Sequence, residues 1–177
     1  MALSVVYLIS ILSLVFIVHL GDAQSITYTC QFTAKVDLCT QILNADPSSE
    51  ETDTAGRATV MLNAAMSDAV DTSRYILDEL AKTYTDANAI RVVTECNTLY
   101  VNAKTRLETS IRDLYSDDKL GDTQDEVNAA AACAESCEKL FGTATPPLAY
   151  PDELERRQIN FEDICGVAND IVGMLLV

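Results

Sequence analysis

Apolar residues recur every three or four positions along most of this chain, and this spacing restricts the possible folds more than any other feature. Such intervals place the apolar residues on one face of an α-helix. The first two stripes comprise Ala55, Ala58, Leu62, Ala65, Ala69, Ile76 and Leu80, then Ile90, Val93, Cys96, Tyr100, Ala103, Leu107, Ile111 and Leu114. The last two comprise Val127, Ala130, Cys133, Ala134, Cys137 and Phe141, then, from about Asp152, Ile164, Val167, Ala168, Ile171 and Leu175.

Four amphipathic helices with short connections predict an up-down-up-down four-helix bundle over residues 52–176. No segment alternates apolar and polar residues over the length of a strand, so we expect an all-α protein. Residues 25–45 are too few for a further bundle helix and contain Cys30 and Cys39. We expect a small N-terminal helical hairpin there, stapled by a disulfide because it buries too little apolar surface to order itself by packing.

Residues 1–23 read as an export signal. An apolar run from Val5 to Leu20 is followed by Gly21-Asp22-Ala23, which places small residues where a signal peptidase recognises its substrate. The alternative is a membrane anchor, but the apolar run is shorter than the roughly 20 residues that span a bilayer. We expect cleavage before Gln24, which leaves residues 24–177 as one secreted domain with no contact with the membrane.

The chain is strongly acidic, with a formal net charge of -15. This charge argues against a nucleic-acid partner, because phosphates are bound by Lys and Arg. It is compatible with high solubility and with a basic partner. All six cysteines follow the signal segment, and an even count in an exported chain favours disulfides over metal or redox sites.

The residue types left after cleavage exclude several common catalytic and metal sites, although not pairs of catalytic carboxylates. The one histidine, His19, is removed with the signal, so catalytic triads and histidine metal sites are excluded. Aligning Gly121 with the glycine of an EF-hand puts Ser116 and Val127 at the first and last ligand positions, where they do not fit calcium. The remaining acidic residues mostly lie on outward helix faces and in turns. We therefore expect a protein that is not an enzyme and has no metal and no cofactor.

Short motifs along the chain carry a resemblance to a known family. The matching residues are Cys30, Thr33, Cys39, Asp46-Pro47, Ser49, Glu95-Cys96, Leu99-Tyr100, Ala103-Lys104, Ser136-Cys137-Glu138, Phe141 and Pro147-Leu148. With them the chain resembles the plant invertase and pectin methylesterase inhibitor family over residues 27–176. The resemblance implies a four-helix bundle with a projecting N-terminal hairpin and two disulfides, Cys30–Cys39 and Cys96–Cys137.

The same resemblance implies a function. Family members are secreted protein inhibitors that bind one-to-one and cover the active-site cleft of a carbohydrate enzyme, either invertase or pectin methylesterase. The implied location is the apoplast, with the vacuole as an alternative. Two further hypotheses remain open: a non-inhibitory structural, storage or pollen protein on the same fold, and a carrier that holds a small apolar ligand inside the bundle.

The resemblance favours invertase slightly as the target. In the invertase-inhibitor branch a Pro-Lys-Phe segment between the second and third bundle helices enters the enzyme, and here it corresponds to Asp118, Lys119 and Leu120. Cys137-Glu138 is also similar to that branch, and Ser136 stands where the other branch favours Thr. In the pectin methylesterase branch, polar faces of the second and third bundle helices make the contacts instead. Another departure from the family is Val36, which replaces the usual hairpin proline.

Two cysteines have no partner implied by the resemblance. Cys133 and Cys165 come close to the same level on neighbouring antiparallel helices, so a third disulfide between them is possible. The alternative is a pair of buried free thiols that pack as small apolar side chains.

Overall fold

The computed structural model describes residues 25–116 and 118–176. The expected signal peptide, residues 1–23, lies outside them. Six α-helices follow one another along the described part of the chain: α1 at Ile26–Cys30, α2 at Val36–Ala45, α3 at Thr54–Asp78, α4 at Ala87–Asp113, α5 at Leu120–Thr143 and α6 at Asp152–Gly173. Short 3₁₀ turns occur at Pro47–Glu50, Leu80–Thr83 and Met174–Leu176.

Helices α3 to α6 form the bundle, and each packs against the next while α6 closes on α3. The all-α up-down-up-down arrangement expected from the apolar spacing is therefore confirmed. Aspartates cap the first two bundle helices: Asp53 accepts from the Gly56 amide at 2.8 Å, and Asp86 accepts from the amides of Asn88 and Ala89. Such caps satisfy backbone N–H groups that have no partner within the helix.

The interior is filled by side chains from all four bundle helices. Tyr100 and Phe161 meet edge to face, with ring centroids 5.8 Å apart, and both are fully buried. Ala130 and Ala134 of α5 are also fully buried. Their small side chains let α5 lie close to its neighbours, so the alanine-rich helix serves packing.

The N-terminal hairpin, α1 and α2, packs through α2 against α3 and α6 and does not project as the family resemblance implied. Arg57 makes one link, since its Nη1 donates to Thr29 Oγ1 and its Nε to the Ser49 carbonyl, both at 3.0 Å. Asp170 makes another by accepting from the Ala34 amide at 2.8 Å. These polar links to the bundle orient the hairpin.

The Cys30–Cys39 disulfide closes the hairpin, with Cα atoms 5.5 Å apart. Replacing both cysteines with serine is expected to destabilise residues 26–50 by about 2 to 3 kcal/mol, because the loop loses its covalent closure. Hydrogen exchange should speed up in α1 and α2 and change little in α4 and α5. Unchanged exchange in the hairpin would mean that its contacts with α3 and α6 suffice to order it.

The other disulfide, Cys96–Cys137, joins α4 to α5, with Cα atoms 4.6 Å apart. Cys133 and Cys165 are free and buried, so the possible third disulfide is corrected to two thiols. The Cys133 Sγ donates to the Ala129 carbonyl at 3.3 Å, one turn back along its own helix, and lines a groove between α4 and α5. Its sulfur is therefore directed towards α4, whereas Cys165 lies on α6.

A half-buried carboxylate, Asp68, lies where α3 meets α6. Asp68 Oδ1 accepts from Asn160 Nδ2 at 2.8 Å, but Oδ2 is buried without a hydrogen-bond partner among the described residues. Burial raises the pKa of Asp68, and the Asn160 hydrogen bond and the charge of Arg157 oppose this only in part. The ionised form of Asp68 therefore costs stability.

Exchanging Asp68 for asparagine tests this cost as a function of pH. The folded-state pKa lies above the unfolded value of about 3.9, so the bound proton favours the fold below about pH 4, and this stability is lost as pH rises through the folded-state pKa. Asp68→Asn should thus gain free energy of unfolding relative to wild type between pH 4 and pH 7, measured by urea denaturation. Asp78→Asn, an exposed carboxylate on the same helix, is the control. A difference from wild type that does not vary with pH would contradict the assignment.

Candidate functional site

The connection from α4 to α5 lies at the same end of the bundle as the hairpin, because α3 begins and α4 ends there. It is shorter than the sequence indicated. The polar composition of residues 116–123 predicts a connection over that whole stretch, but residues 120–123 form the first turn of α5. The Thr123 amide donates to the Lys119 carbonyl at 2.9 Å, and Asp122 lies in that first turn, where the helix dipole favours a negative charge.

Lys119 occupies the N-cap position of α5 and reaches back to the end of α4. Its Nζ lies 3.4 Å from Asp113 Oδ1, and Arg112 Nε lies 3.4 Å from the same oxygen. Asp113 is buried, with 8% of its surface exposed, whereas the Lys119 side chain remains 46% exposed. The lysine is therefore held on one side by its own chain and open to solvent on the other.

The other two residues predicted to bind a target differ from each other in exposure. Asp118 is exposed beside Lys119. Leu120 is half-buried and packs against the hydrophobic core, because it belongs to the first turn of α5. The structure thus brings Asp118 and Lys119 together at the surface, while much of Leu120 is occupied within the bundle.

A groove runs along the joint between α4 and α5. One part, of about 550 Å³, is lined by Leu99, Asn102, Thr105, Arg106, Thr109, Glu126 and Cys133. A neighbouring part, of about 340 Å³, is lined by Glu95, Thr98, Leu99, Ser136 and Leu140. Because the two parts share Leu99, they form consecutive stretches of one groove, which we call the α4–α5 groove.

Polar side chains set the chemistry of the 550 Å³ part of the α4–α5 groove. Arg106 Nη1 meets Glu126 Oε2 at 2.9 Å, which joins α4 to α5 by an ion pair. The hydroxyls of the threonines on α4 donate one turn back, for example Thr105 to the Val101 carbonyl at 3.2 Å, so they can still accept hydrogen bonds from outside. Burial raises the pKa of Cys133, and Arg106 opposes this in part, so the thiol stays neutral at neutral pH.

These groove residues were not singled out from the sequence, although a signal for some of them exists. Thr98, Thr105 and Thr109 lie four or seven residues apart, which places them near one face of a helix. The Arg106–Glu126 pair has no such signal, because it joins two helices and depends on their relative register.

Within residues 25–116 and 118–176, no cluster of three or more His, Cys, Asp or Glu side chains is placed to hold a metal ion. In the same part of the chain, no helix combines the length and the apolar character needed to cross a membrane.

Comparison with known proteins agrees with this architecture. A protein-family model described as plant invertase/pectin methylesterase inhibitor matches residues 24–171. The chain is 34% identical over 149 residues to cell wall / vacuolar inhibitor of fructosidase 2 of Arabidopsis thaliana, which covers 84% of this chain and 81% of that protein. It is 28% identical over 154 residues to pectinesterase inhibitor 28 of Oryza sativa subsp. japonica, covering 83% of this chain and 67% of that protein.

Solved structures extend the likeness to the fold. The crystal structure of mutant form A of a pectin methylesterase inhibitor from Arabidopsis superposes with a TM-score of 0.66 at 20% identity, covering 85% of this chain and 97% of that one. A pectin methylesterase inhibitor from Arabidopsis thaliana gives a TM-score of 0.59 at 20% identity, covering 85% and 95%. At this identity the likeness concerns the bundle and its hairpin.

Proposed function

Because this chain belongs to the plant invertase/pectin methylesterase inhibitor family, we propose that it inhibits an invertase, an enzyme that cleaves the fructosyl bond of sucrose. The observation that carries this choice is the 34% identity, over most of both chains, to a protein named as a cell wall / vacuolar inhibitor of fructosidase. The relative named as a pectinesterase inhibitor is less similar, at 28%.

The proposed contact surface is the exposed corner formed by Asp118 and Lys119. Lys119 has three N–H donors and uses one side of its ammonium group for Asp113, so the solvent side is available for a carboxylate of the target. Glycosidases carry such carboxylates in their active sites. Leu120 contributes at most its exposed part, because the rest packs on the core.

We further propose a one-to-one complex, formed in the cell wall or the vacuole after removal of residues 1–23. The location follows the name of the fructosidase-inhibitor relative and the signal-like sequence at the N-terminus. The stoichiometry is the one that the family resemblance implies. Light scattering of the purified complex measures the stoichiometry directly.

The test is an inhibition assay with residues 24–177 against a purified acid invertase and a purified pectin methylesterase. Inhibition of invertase alone, saturating at equimolar ratio, supports the proposal. Inhibition of pectin methylesterase alone contradicts the proposal and places the chain in the pectin methylesterase branch of the family. Binding to neither enzyme would favour the non-inhibitory hypothesis.

Pectin methylesterase is the second candidate target, and the α4–α5 groove is the observation that favours it. The groove presents threonine and asparagine side chains with an ion pair, and the resemblance assigns that helix face to the contact in this branch. Arg106→Ala should then weaken inhibition of pectin methylesterase, while Lys119→Ala should leave it unchanged.

The apolar-carrier hypothesis receives no support from the interior. Tyr100, Phe141 and Phe161 are fully buried and fill the centre of the bundle together with the aliphatic core. The α4–α5 groove lies at the surface of the bundle, and polar side chains, among them Arg106 and Glu126, line its 550 Å³ part.

A further inference from the structure

We propose that Asp113 is a positioning residue for inhibition, which holds the Lys119 ammonium group at the start of α5 in the geometry that the target receives. The inference rests on the proposed function of Lys119. It adds a residue that does not itself touch the target, because Asp113 is 8% exposed.

Asp113 lies where a negative charge is costly. It is the last residue of α4, where the helix dipole disfavours an anion, and burial removes most of its hydration. Lys119 has the opposite difficulty, since a cation at the start of α5 is disfavoured by that helix dipole. The ion pair between Asp113 and Lys119 offsets both unfavourable interactions with the helix dipoles, so the contact also stabilises the fold.

The contacts around Asp113 hold the Lys119 side chain in place but leave part of its ammonium group free to bind a target. The Ser116 amide donates to the Asp113 carbonyl at 3.0 Å, and the Lys119 amide donates to the Ser116 carbonyl at 2.8 Å, so backbone hydrogen bonds connect the two residues. The side-chain pair at 3.4 Å then sets the direction of the lysine. Arg112, on the same carboxylate oxygen, keeps Asp113 compensated when Lys119 also engages a partner.

Holding a long side chain in its bound conformation removes an entropic cost from association. Immobilising one such side chain corresponds to about a three- to tenfold change in affinity. Lysine side chains otherwise sample many rotamers, so the gain is lost if the Asp113 charge is removed while its shape is kept.

The experiment is a double-mutant cycle on the inhibition constant for invertase, using Asp113→Asn, Lys119→Ala and the double variant of residues 24–177. We expect Asp113→Asn to raise the inhibition constant about three- to tenfold in the wild-type background. In the Lys119→Ala background it should change the constant less than about twofold, because a positioning residue without its lysine has nothing to position. An equal effect in both backgrounds would show a general structural role and overturn the inference.

A second measurement uses the unmutated chain and does not depend on the variant folding. Carbon relaxation by NMR should find the Cε of Lys119 more ordered than that of Lys82, which has no ion pair within the described part of the chain. Equal order at the two lysines would also overturn the inference. If the wild-type chain fails to inhibit invertase, the proposed function fails as well, whereas inhibition that depends on Lys119 but not on Asp113 defeats the inference alone.

Discussion

Replacing Arg57 with alanine is expected to lower the free energy of unfolding by about 3 to 6 kcal/mol, the sum of two hydrogen bonds from a charged donor at about 1.5 to 3 kcal/mol each. Arg57 is 1% exposed and donates to both Thr29 Oγ1 and the Ser49 carbonyl. Burial lowers the pKa of its guanidinium, and nearby Asp53 opposes this. The loss should be measured by urea denaturation, and hydrogen exchange should speed up most in residues 26–50.

The controls separate charge, shape and position. Arg57→Met keeps much of the volume but leaves the Thr29 and Ser49 acceptors without their donor, so it should lose nearly as much stability as Arg57→Ala. Arg74→Ala removes an exposed arginine of the same helix, whose ion pair with Asp71 lies at the surface, and should cost less than about 1 kcal/mol. A near-wild-type Arg57→Met would show that Arg57 acts by filling space and that its hydrogen bonds to the hairpin contribute little.

The burial of Arg57 could not be predicted from the sequence, whereas the bundle itself could. The bundle could be predicted because periodic apolar residues determine which faces of the helices are buried, as Ala58, Leu62 and Ala65 illustrate. From the sequence, a charged residue next to that stripe, such as Arg57, is expected to be exposed to solvent. Its burial depends on the hairpin folding back over α3, and this contact between distant parts of the chain leaves no periodic signal.

The same reasoning applies to the candidate site. Lys119 and Asp118 could be identified because they are close to each other in the sequence and resemble a family segment. The partial burial of Leu120 could not be predicted, since it depends on α5 beginning four residues earlier than the polar composition of residues 116–123 suggests. Nor could Asp113 be recognised as buried, because acidic residues in this chain mostly lie in solvent.

Cys133 illustrates a different limit. Matching levels along two antiparallel helices places it near Cys165, but levels do not determine the direction of a side chain. The sulfur donates to the Ala129 carbonyl and borders the α4–α5 groove. Pairing cysteines from the sequence therefore requires rotamer information that helical periodicity does not contain.

The second large effect is expected for Lys119→Ala in invertase inhibition. If the ammonium group meets a target carboxylate away from water, its removal should cost about 2 to 5 kcal/mol of binding free energy. We expect Lys119→Ala to fold normally, because Arg112 still pairs with the Asp113 carboxylate oxygen that Lys119 contacts in the wild type. The inhibition constant should thus rise while the thermal midpoint stays close to that of wild type.

Lys82→Ala provides the matched control, since it removes the same charge in the connection between α3 and α4, at the opposite end of the bundle. It should leave the inhibition constant within about twofold, because exposed charges far from an interface act only through screened long-range attraction. If Lys119→Ala and Lys82→Ala weaken inhibition equally, the lysine acts through net charge and the Asp118–Lys119 corner is not the contact. Wild-type potency in Lys119→Ala together with loss in Arg106→Ala would instead locate the contact in the α4–α5 groove. A few side chains in desolvated pockets near the centre of an interface carry most of its binding energy, so a lysine that enters the target's active site should account for a large share by itself.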